Sequence, residues 1–336
     1  MKLTLPHIAF EITGTCNLNC RYCYNIWKVP GAEACKPGSY KKALRTLKQL
    51  FKTTDVQHLT FTGGEPFLSE RFPEVVLFAR MKGKSITLIT NGTSASKEAY
   101  QHMLNLGVSL FEIPVHSASP EIHDRMTQHE GSWQKAQNSI NYLLGSNAYV
   151  VPVIVLTRFN TDVLEETLHF LKKQNLTRIM MNRYNYGGHG IVNPEEISAT
   201  LLQLKKAYHI ANHLSKELGL KITSNVCTPR CVINPKDYPM IGFGNCSPDV
   251  LRRPITLDIE GNIRLCNHSP VVAGNIFQQK PEEILFSDYA QQWAEIKPQF
   301  CSKCELWERC MGGCRAASEQ MGLPLSEPDP MVKMLG

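Results

Sequence analysis

No stretch of this 336-residue chain approaches the roughly 18 consecutive apolar residues that a membrane span needs. Its first residues, Met1-Lys-Leu-Thr-Leu-Pro6, run straight into a strand-like segment, with no signal-peptide apolar region and no cleavage motif. Those two absences predict a cytoplasmic protein with no membrane partner. Long Lys/Arg runs and basic stripes interleaved with aromatics are missing too, so the net charge of +6 gives little reason to expect nucleic acid. That mild positive balance suits an anionic cofactor or substrate. Internal repeats and low-complexity tracts are also lacking. Cysteine, by contrast, is plentiful. Twelve of them in a reducing compartment argue for metal sites over disulfides. Composition is otherwise ordinary, 43% hydrophobic and 20% charged, and the length allows a large core and two domains.

From residue 7 to about 186, short apolar runs alternate with amphipathic stretches. Strands are expected at His7–Ile12, His58–Thr62, Ser85–Thr90, Ser109–Val115, Val150–Leu156 and Arg178–Arg183. Helices are expected near Tyr40–Lys52, Ser69–Met81, Ser94–Leu106, Ser132–Gly145 and Asp162–Gln174. Six β-then-α units in series imply parallel strands joined by right-handed crossovers, an incomplete barrel. In such folds ligands gather at the C-terminal ends of the strands. Leu201, Leu204, Tyr208, Ala211, Leu214 and Leu218 recur at helical spacing before Gly219, predicting a helix over Ser198–Leu218 that bridges out of the barrel. Beyond Cys227 the chain turns to cysteines, turns and short strands.

Directly after the first strand comes Cys16-Asn-Leu-Asn-Cys20-Arg-Tyr-Cys23, followed by Tyr24. Three thiolates so close in sequence can hold three irons of a [4Fe–4S] cube and leave the fourth iron open. A zinc knuckle or a disulfide loop is the plainer alternative. The spacing resembles the signature of the radical S-adenosylmethionine (SAM) superfamily. That resemblance implies a (β/α)6 TIM-like partial barrel, with SAM bound at the open iron. It also implies reductive cleavage of SAM to methionine and a 5′-deoxyadenosyl radical, which takes a hydrogen atom from the substrate.

Gly63-Gly64-Glu65-Pro66 follows the second strand, where two glycines let backbone approach a ligand closely. It is similar to the family's Gly-Gly-Glu-Pro segment, which implies that Gly63, Gly64 and Glu65 bind the methionine ammonium. The family's Thr-Asn-Gly corresponds to Thr90-Asn91-Gly92, putting Asn91 near the ribose. Ser117, after the fourth strand, corresponds to a serine near the methionine carboxylate or ribose. One element is missing. Thr127 stands where many relatives carry an arginine, leaving Arg125 or Arg183 as substitutes. His116, His123 and His129 are expected as surface or helix-capping residues.

The last third holds Cys246 and Cys266 around Gly261, then Cys301-x2-Cys304-x5-Cys310-x3-Cys314. A zinc ribbon would account for four of these. Glu260-Gly261-Asn262 reads as a hairpin turn that brings Cys246 and Cys266 together. The order resembles the SPASM extension of radical SAM enzymes, which binds one or two auxiliary [4Fe–4S] clusters. The resemblance implies a first auxiliary cluster on Cys246, Cys266 and Cys314 and a second on Cys301, Cys304 and Cys310. It divides the chain into a barrel (1–195), a bridging helix and linker (196–226) and the cysteine-rich SPASM domain (227–336).

Relatives supply the last ligand from an Asp-Pro-x-Cys, and here Val332 occupies that cysteine's place. The second cluster is then left with an open iron, completed by Asp329, or absent. Cys227 and Cys231 are alternatives for the fourth ligand of the first cluster, the other being a hydrogen-atom donor or a plain buried thiol, as for Cys35. What the family implies about substrate is broad. Oxidation or crosslinking of a peptide or protein side chain comes first, with small-molecule epimerisation, dehydrogenation or tetrapyrrole modification as the alternative. A non-catalytic iron–sulfur electron carrier is remote. A low-potential donor of flavodoxin or ferredoxin type is an expected partner. A separate peptide-recognition protein is another, since the chain starts at the barrel.

Overall fold

The computed structural model describes residues 2–29, 31–32, 37–108 and 110–335, so Cys35 and Ser109 lie outside the described residues. Strands β1 (Leu3–Thr13), β2 (Thr54–Gly63), β3 (Ser85–Ile89), β4 (Leu110–Pro114), β5 (Tyr149–Leu156) and β6 (Arg178–Arg183) lie side by side in chain order, all parallel. Parallel neighbours cannot be joined by a tight turn, so each connection crosses over through helix. These are α1 (Tyr40–Thr53), α2 (Phe72–Met81), α3 (Lys97–Asn105), α4 (Pro120–Thr127) with α5 (Ser132–Gly145), and α6 (Leu164–Lys173). Alternate strand residues such as Ile8, Phe10, Phe61 and Phe111 join Leu47, Val75 and Leu168 of the helices in one buried core. Helix α4 was not anticipated. Its turn is held by Ser119, whose hydroxyl accepts the Ile122 N–H.

The expected linker is a further part of the sheet. After the short α7 (Pro194–Ile197), α8 (Leu201–Leu218) opens on a Thr200/Gln203 capping box and stops at Gly219, where φ is +65°. It forms the crossover from β6 to β7 (Lys221–Ser224), which pairs parallel to β6, and β8 (Ile241–Phe243) adds parallel to β7. Residues 196–226 therefore extend the strand array. At the opposite edge β9 (Thr256–Asp258) pairs parallel with β1 and turns at Gly261 into antiparallel β10 (Asn262–Arg264), followed by β11 (Gly274–Asn275). The hairpin thus caps the β1 edge, pairing backbone groups that an open edge would leave exposed. Among the described residues the strands form one 11-stranded sheet, ordered β11-β10-β9-β1-β2-β3-β4-β5-β6-β7-β8. Buried ion pairs Arg264–Glu11 and Arg183–Asp329 tie the C-terminal third to it. Among the described residues no helix is long and apolar enough to cross a membrane.

Candidate active site and metal centres

Each expected site segment leaves the C-terminal end of a parallel strand: Cys16–Cys23 after β1, Gly63–Glu65 after β2, Thr90–Gly92 after β3, and His116–Ser117 after β4. Main-chain bonds lock the first two together. Gly64 N–H donates to Thr13 O at 2.7 Å, and Glu65 N–H donates to Thr15 O at 2.8 Å. A Cβ on Gly63 would strike the Thr13 carbonyl, and one on Gly64 the Thr15 carbonyl. The two glycines therefore admit a close approach of the backbone that leads into the cysteine loop. The other side of the loop is clamped by Arg21 N–H to Met126 O (2.9 Å), Gln128 to Asn19 O (2.7 Å) and Gly190 N–H to Cys23 O (3.4 Å).

Glu65 is engaged within the protein. The side chain is fully buried, and its carboxylate accepts the Thr90 hydroxyl (2.8 Å), the Asn91 N–H (2.7 Å) and the Phe67 N–H (3.2 Å). Burial pushes its carboxyl up to about 7. It joins the β2 and β3 loops. Asn91 itself donates to Asn17 Oδ1 at 2.8 Å and lies 3.8 Å from Cys16 Sγ, at the rim of the cysteine loop. Ser117 is buried, with its hydroxyl accepting the Ser119 N–H at 3.0 Å.

The two arginine candidates separate. Arg183 is buried against Asp329, whereas Arg125 is exposed with its guanidinium 4.4 Å from the Phe159 ring. Asp124, beside Thr127, accepts from Gly131 N–H, Ser132 Oγ and Trp133 N–H and so anchors the start of α5. His116 and His123 are not surface residues. Both are buried and stacked, and His116 Nε2 lies 2.5 Å from the Tyr22 hydroxyl.

Burial disfavours the thiolate form of all three N-terminal cysteines. Burial pushes up Cys16, takes Cys23 to about 11, and with the neighbouring Cys23 takes Cys20 to about 12. Thiolates form there when a metal displaces the protons, which is the coupling a metal-binding loop shows. Among the described residues no three His, Cys, Asp or Glu side chains close on a single metal ion. Three thiols on one loop, with the Leu18 N–H 3.5 Å and the Asn91 amide 3.8 Å from Cys16 Sγ, supply the donor set that a [4Fe–4S] cube takes.

The C-terminal cysteines fall into two sets. Cys227, Cys246, Cys266 and Cys314 lie close enough to raise or lower one another's thiols, with Cys227 donating to Cys246 so that Cys246 shifts down and Cys227 up. Trp293 Nε1 donates to Cys246 Sγ at 3.4 Å, and Asn185 Nδ2 lies 3.5 Å from Cys314 Sγ. Beside this set, Arg253 Nη1 and Arg315 Nε and Nη1 are buried without a hydrogen-bond partner among the described residues. Both guanidiniums feel the charge of Cys246. Buried guanidinium N–H groups left without an acceptor fit the negative charge of a four-thiolate cluster. The second set, Cys231, Cys301, Cys304 and Cys310, lines a cavity of about 40 Å³ together with Val332. Asp329 is elsewhere, accepting the Cys314 N–H at 2.8 Å and pairing with Arg183.

Several contacts between the two cysteine regions carried no sequence signal. The Tyr24 ring stacks on His268 at 3.8 Å, and His268 Nδ1 lies 2.7 Å from Asn185 Nδ2. Gln320 Nε2 donates to both Tyr24 O and His268 O. Only the pairing of segments nearly 300 residues apart brings these groups together.

Residues 10–171 match the model of the Radical SAM superfamily. PqqA peptide cyclase of Xanthomonas oryzae pv. oryzae (strain MAFF 311018) is 23% identical over 334 residues, covering 97% of this chain and 87% of that protein. Among solved structures, native anSMEcpe with bound AdoMet superposes with a TM-score of 0.75 at 14% identity, covering 98% of this chain and 95% of that one. Streptococcus suis SuiB bound to precursor peptide SuiA gives a TM-score of 0.72 at 13% identity, covering 98% and 76%. At such identities these two structures establish the likeness of fold.

Proposed function

We propose, on the premise that this chain belongs to the radical SAM superfamily through residues 10–171, that it reductively cleaves SAM and oxidises or crosslinks a peptide or protein side chain. The observation that carries the reading is the loop of Cys16, Cys20 and Cys23 at the end of β1, pinned to Gly63–Glu65 and backed by the cysteine-rich C-terminal third. When bound, the [4Fe–4S] cluster and SAM supply an electron and a 5′-deoxyadenosyl radical. Cys16, Cys20 and Cys23 hold the cluster and leave one iron for SAM. Gly63, Gly64 and Glu65 set the loop's position, and Asn91 borders it on the side where a nucleoside would lie. Ser117 supports the neighbouring turn, and the exposed Arg125 is the available partner for a carboxylate.

We assign Cys227, Cys246, Cys266 and Cys314 to one auxiliary [4Fe–4S] cluster, and Cys301, Cys304 and Cys310 to a second. Oxidising a side chain beyond hydrogen-atom loss removes a further electron, and auxiliary clusters give it a place to go. The peptide substrate is supported by PqqA peptide cyclase and by the SuiB complex with its precursor peptide. A low-potential flavodoxin- or ferredoxin-type protein is the proposed electron donor, and a separate protein is proposed to present the peptide.

The test is anaerobic incubation of the reconstituted protein with SAM, dithionite and candidate peptides. We expect 5′-deoxyadenosine, and a peptide product lighter by two hydrogens. Replacing Cys16, Cys20 and Cys23 together by Ala is expected to stop 5′-deoxyadenosine formation while C-terminal iron remains bound. Continued SAM cleavage by that variant would overturn the assignment.

A further inference from the structure

The second auxiliary site has a sequence problem, because Val332 stands where relatives place a cysteine. Val332 lines the same small cavity as Cys301, Cys304 and Cys310, so the valine does face the site but offers it no ligand atom. Asp329 does not replace it. One of its oxygens meets Arg183 and the Cys314 N–H, and the other accepts the Met331 N–H at 2.9 Å.

A fourth thiol comes from a different part of the chain. Cys231 lines that cavity as well. Its position is built by a tight turn at Cys227-Thr-Pro-Arg-Cys231, in which Pro229 O accepts the N–H groups of Val232 (2.9 Å) and Ile233 (3.0 Å). Arg183 fixes one end of the turn by donating to Cys227 O at 2.8 Å. Arg230 fixes the other, its N–H pointing at Cys310 Sγ (3.3 Å) and its guanidinium donating to Arg309 O (2.8 Å) and Asn245 Oδ1 (3.1 Å). A Cβ on Gly313 would lie 2.7 Å from Pro229 Cγ, so the glycine before Cys314 admits the turn.

Resting on the reading of the C-terminal cysteines as cluster ligands, we infer that Cys231 is the fourth ligand of the second auxiliary [4Fe–4S] cluster, replacing the cysteine absent at Val332. The three-residue turn then spans the two auxiliary sites, with Cys227 serving one and Cys231 the other. Each cube is ligated by four cysteines, so neither keeps an open iron for substrate. Both are suited to passing electrons, and Cys231 is removed from the hydrogen-donor candidates.

The experiment uses the full-length chain with Cys16, Cys20 and Cys23 replaced by Ala, reconstituted anaerobically with iron and sulfide. Iron is counted, and Mössbauer and EPR spectra are recorded. About eight irons are expected, four per four-cysteine cube. Adding Cys231→Ala is expected to remove about four of them or convert one cube to a three-iron form visible by EPR. Combining Cys231→Ala with Val332→Cys is expected to restore the count, because residue 332 faces the same cavity. A Cys231→Ala protein with unchanged iron and unchanged spectra overturns the inference, as does loss of iron that Val332→Cys fails to restore. Absence of iron from the parent variant itself would instead overturn the auxiliary-cluster reading on which the inference stands.

Discussion

Glu65 shows how a single buried carboxylate changes the expected result of a mutation. Read from the sequence, Glu65→Ala weakens SAM binding with little effect on folding. In the structure it strips the Thr90 hydroxyl and two backbone N–H groups of their acceptor in a buried setting. Each buried donor left unpaired costs about 1–3 kcal/mol. Glu65→Ala is therefore expected to lower the urea unfolding midpoint clearly as well as weaken SAM binding, with Glu65→Gln milder on both. An unchanged midpoint combined with lost binding would show that the carboxylate meets the ligand itself. The type and place of this residue were legible from Gly-Gly-Glu-Pro after a strand. The direction of its side chain was not, because that depends on donors brought in by β3.

At the scale of elements, α8 had a clear sequence pattern and an unexpected job. Its apolar spacing and its stop at Gly219 are local properties, and both are found in the structure. Its role as a crossover depends on β7, a four-residue strand too short to announce itself by alternation. The cap can be tested apart from the site. Thr200→Ala removes the hydroxyl that accepts the Gln203 N–H, and is expected to cost about 1 kcal/mol, within the 0.5–2 range of such caps. Iron content should stay unchanged, since α8 carries no cysteine. A stability loss several-fold larger, or a loss of iron, would mean that α8 also braces the cysteine regions. The Gly261 hairpin was the more readable element, because a glycine at φ +88° between two short apolar runs specifies its own turn.

Across the whole molecule, the Arg183–Asp329 pair joins the end of β6 to the last turn of the chain, with both side chains fully buried. Asp329→Ala leaves a buried guanidinium without its counter-charge, and breaking such a pair from one side costs about 3–5 kcal/mol. Denaturant unfolding is expected to show that loss, together with release of the iron proposed to bind through Cys314, whose N–H rests on the same carboxylate. Unfolding like that of the parent protein would show that the ion pair is not what holds the C-terminal segment. The sequence by itself determined the alternating parallel sheet, the loop of Cys16, Cys20 and Cys23 on its functional face, and the cysteine-rich character of the last third. Those features follow from periodicity and from ligands close together in the chain. Only the tertiary structure decided that the sheet continues past β6, that Glu65 faces inward, and that Cys227 and Cys231 part to opposite sets of thiols. The reason is physical: strand pairing, buried hydrogen bonds and thiol grouping join residues tens to hundreds apart, and no local pattern encodes which distant partner fills a given place.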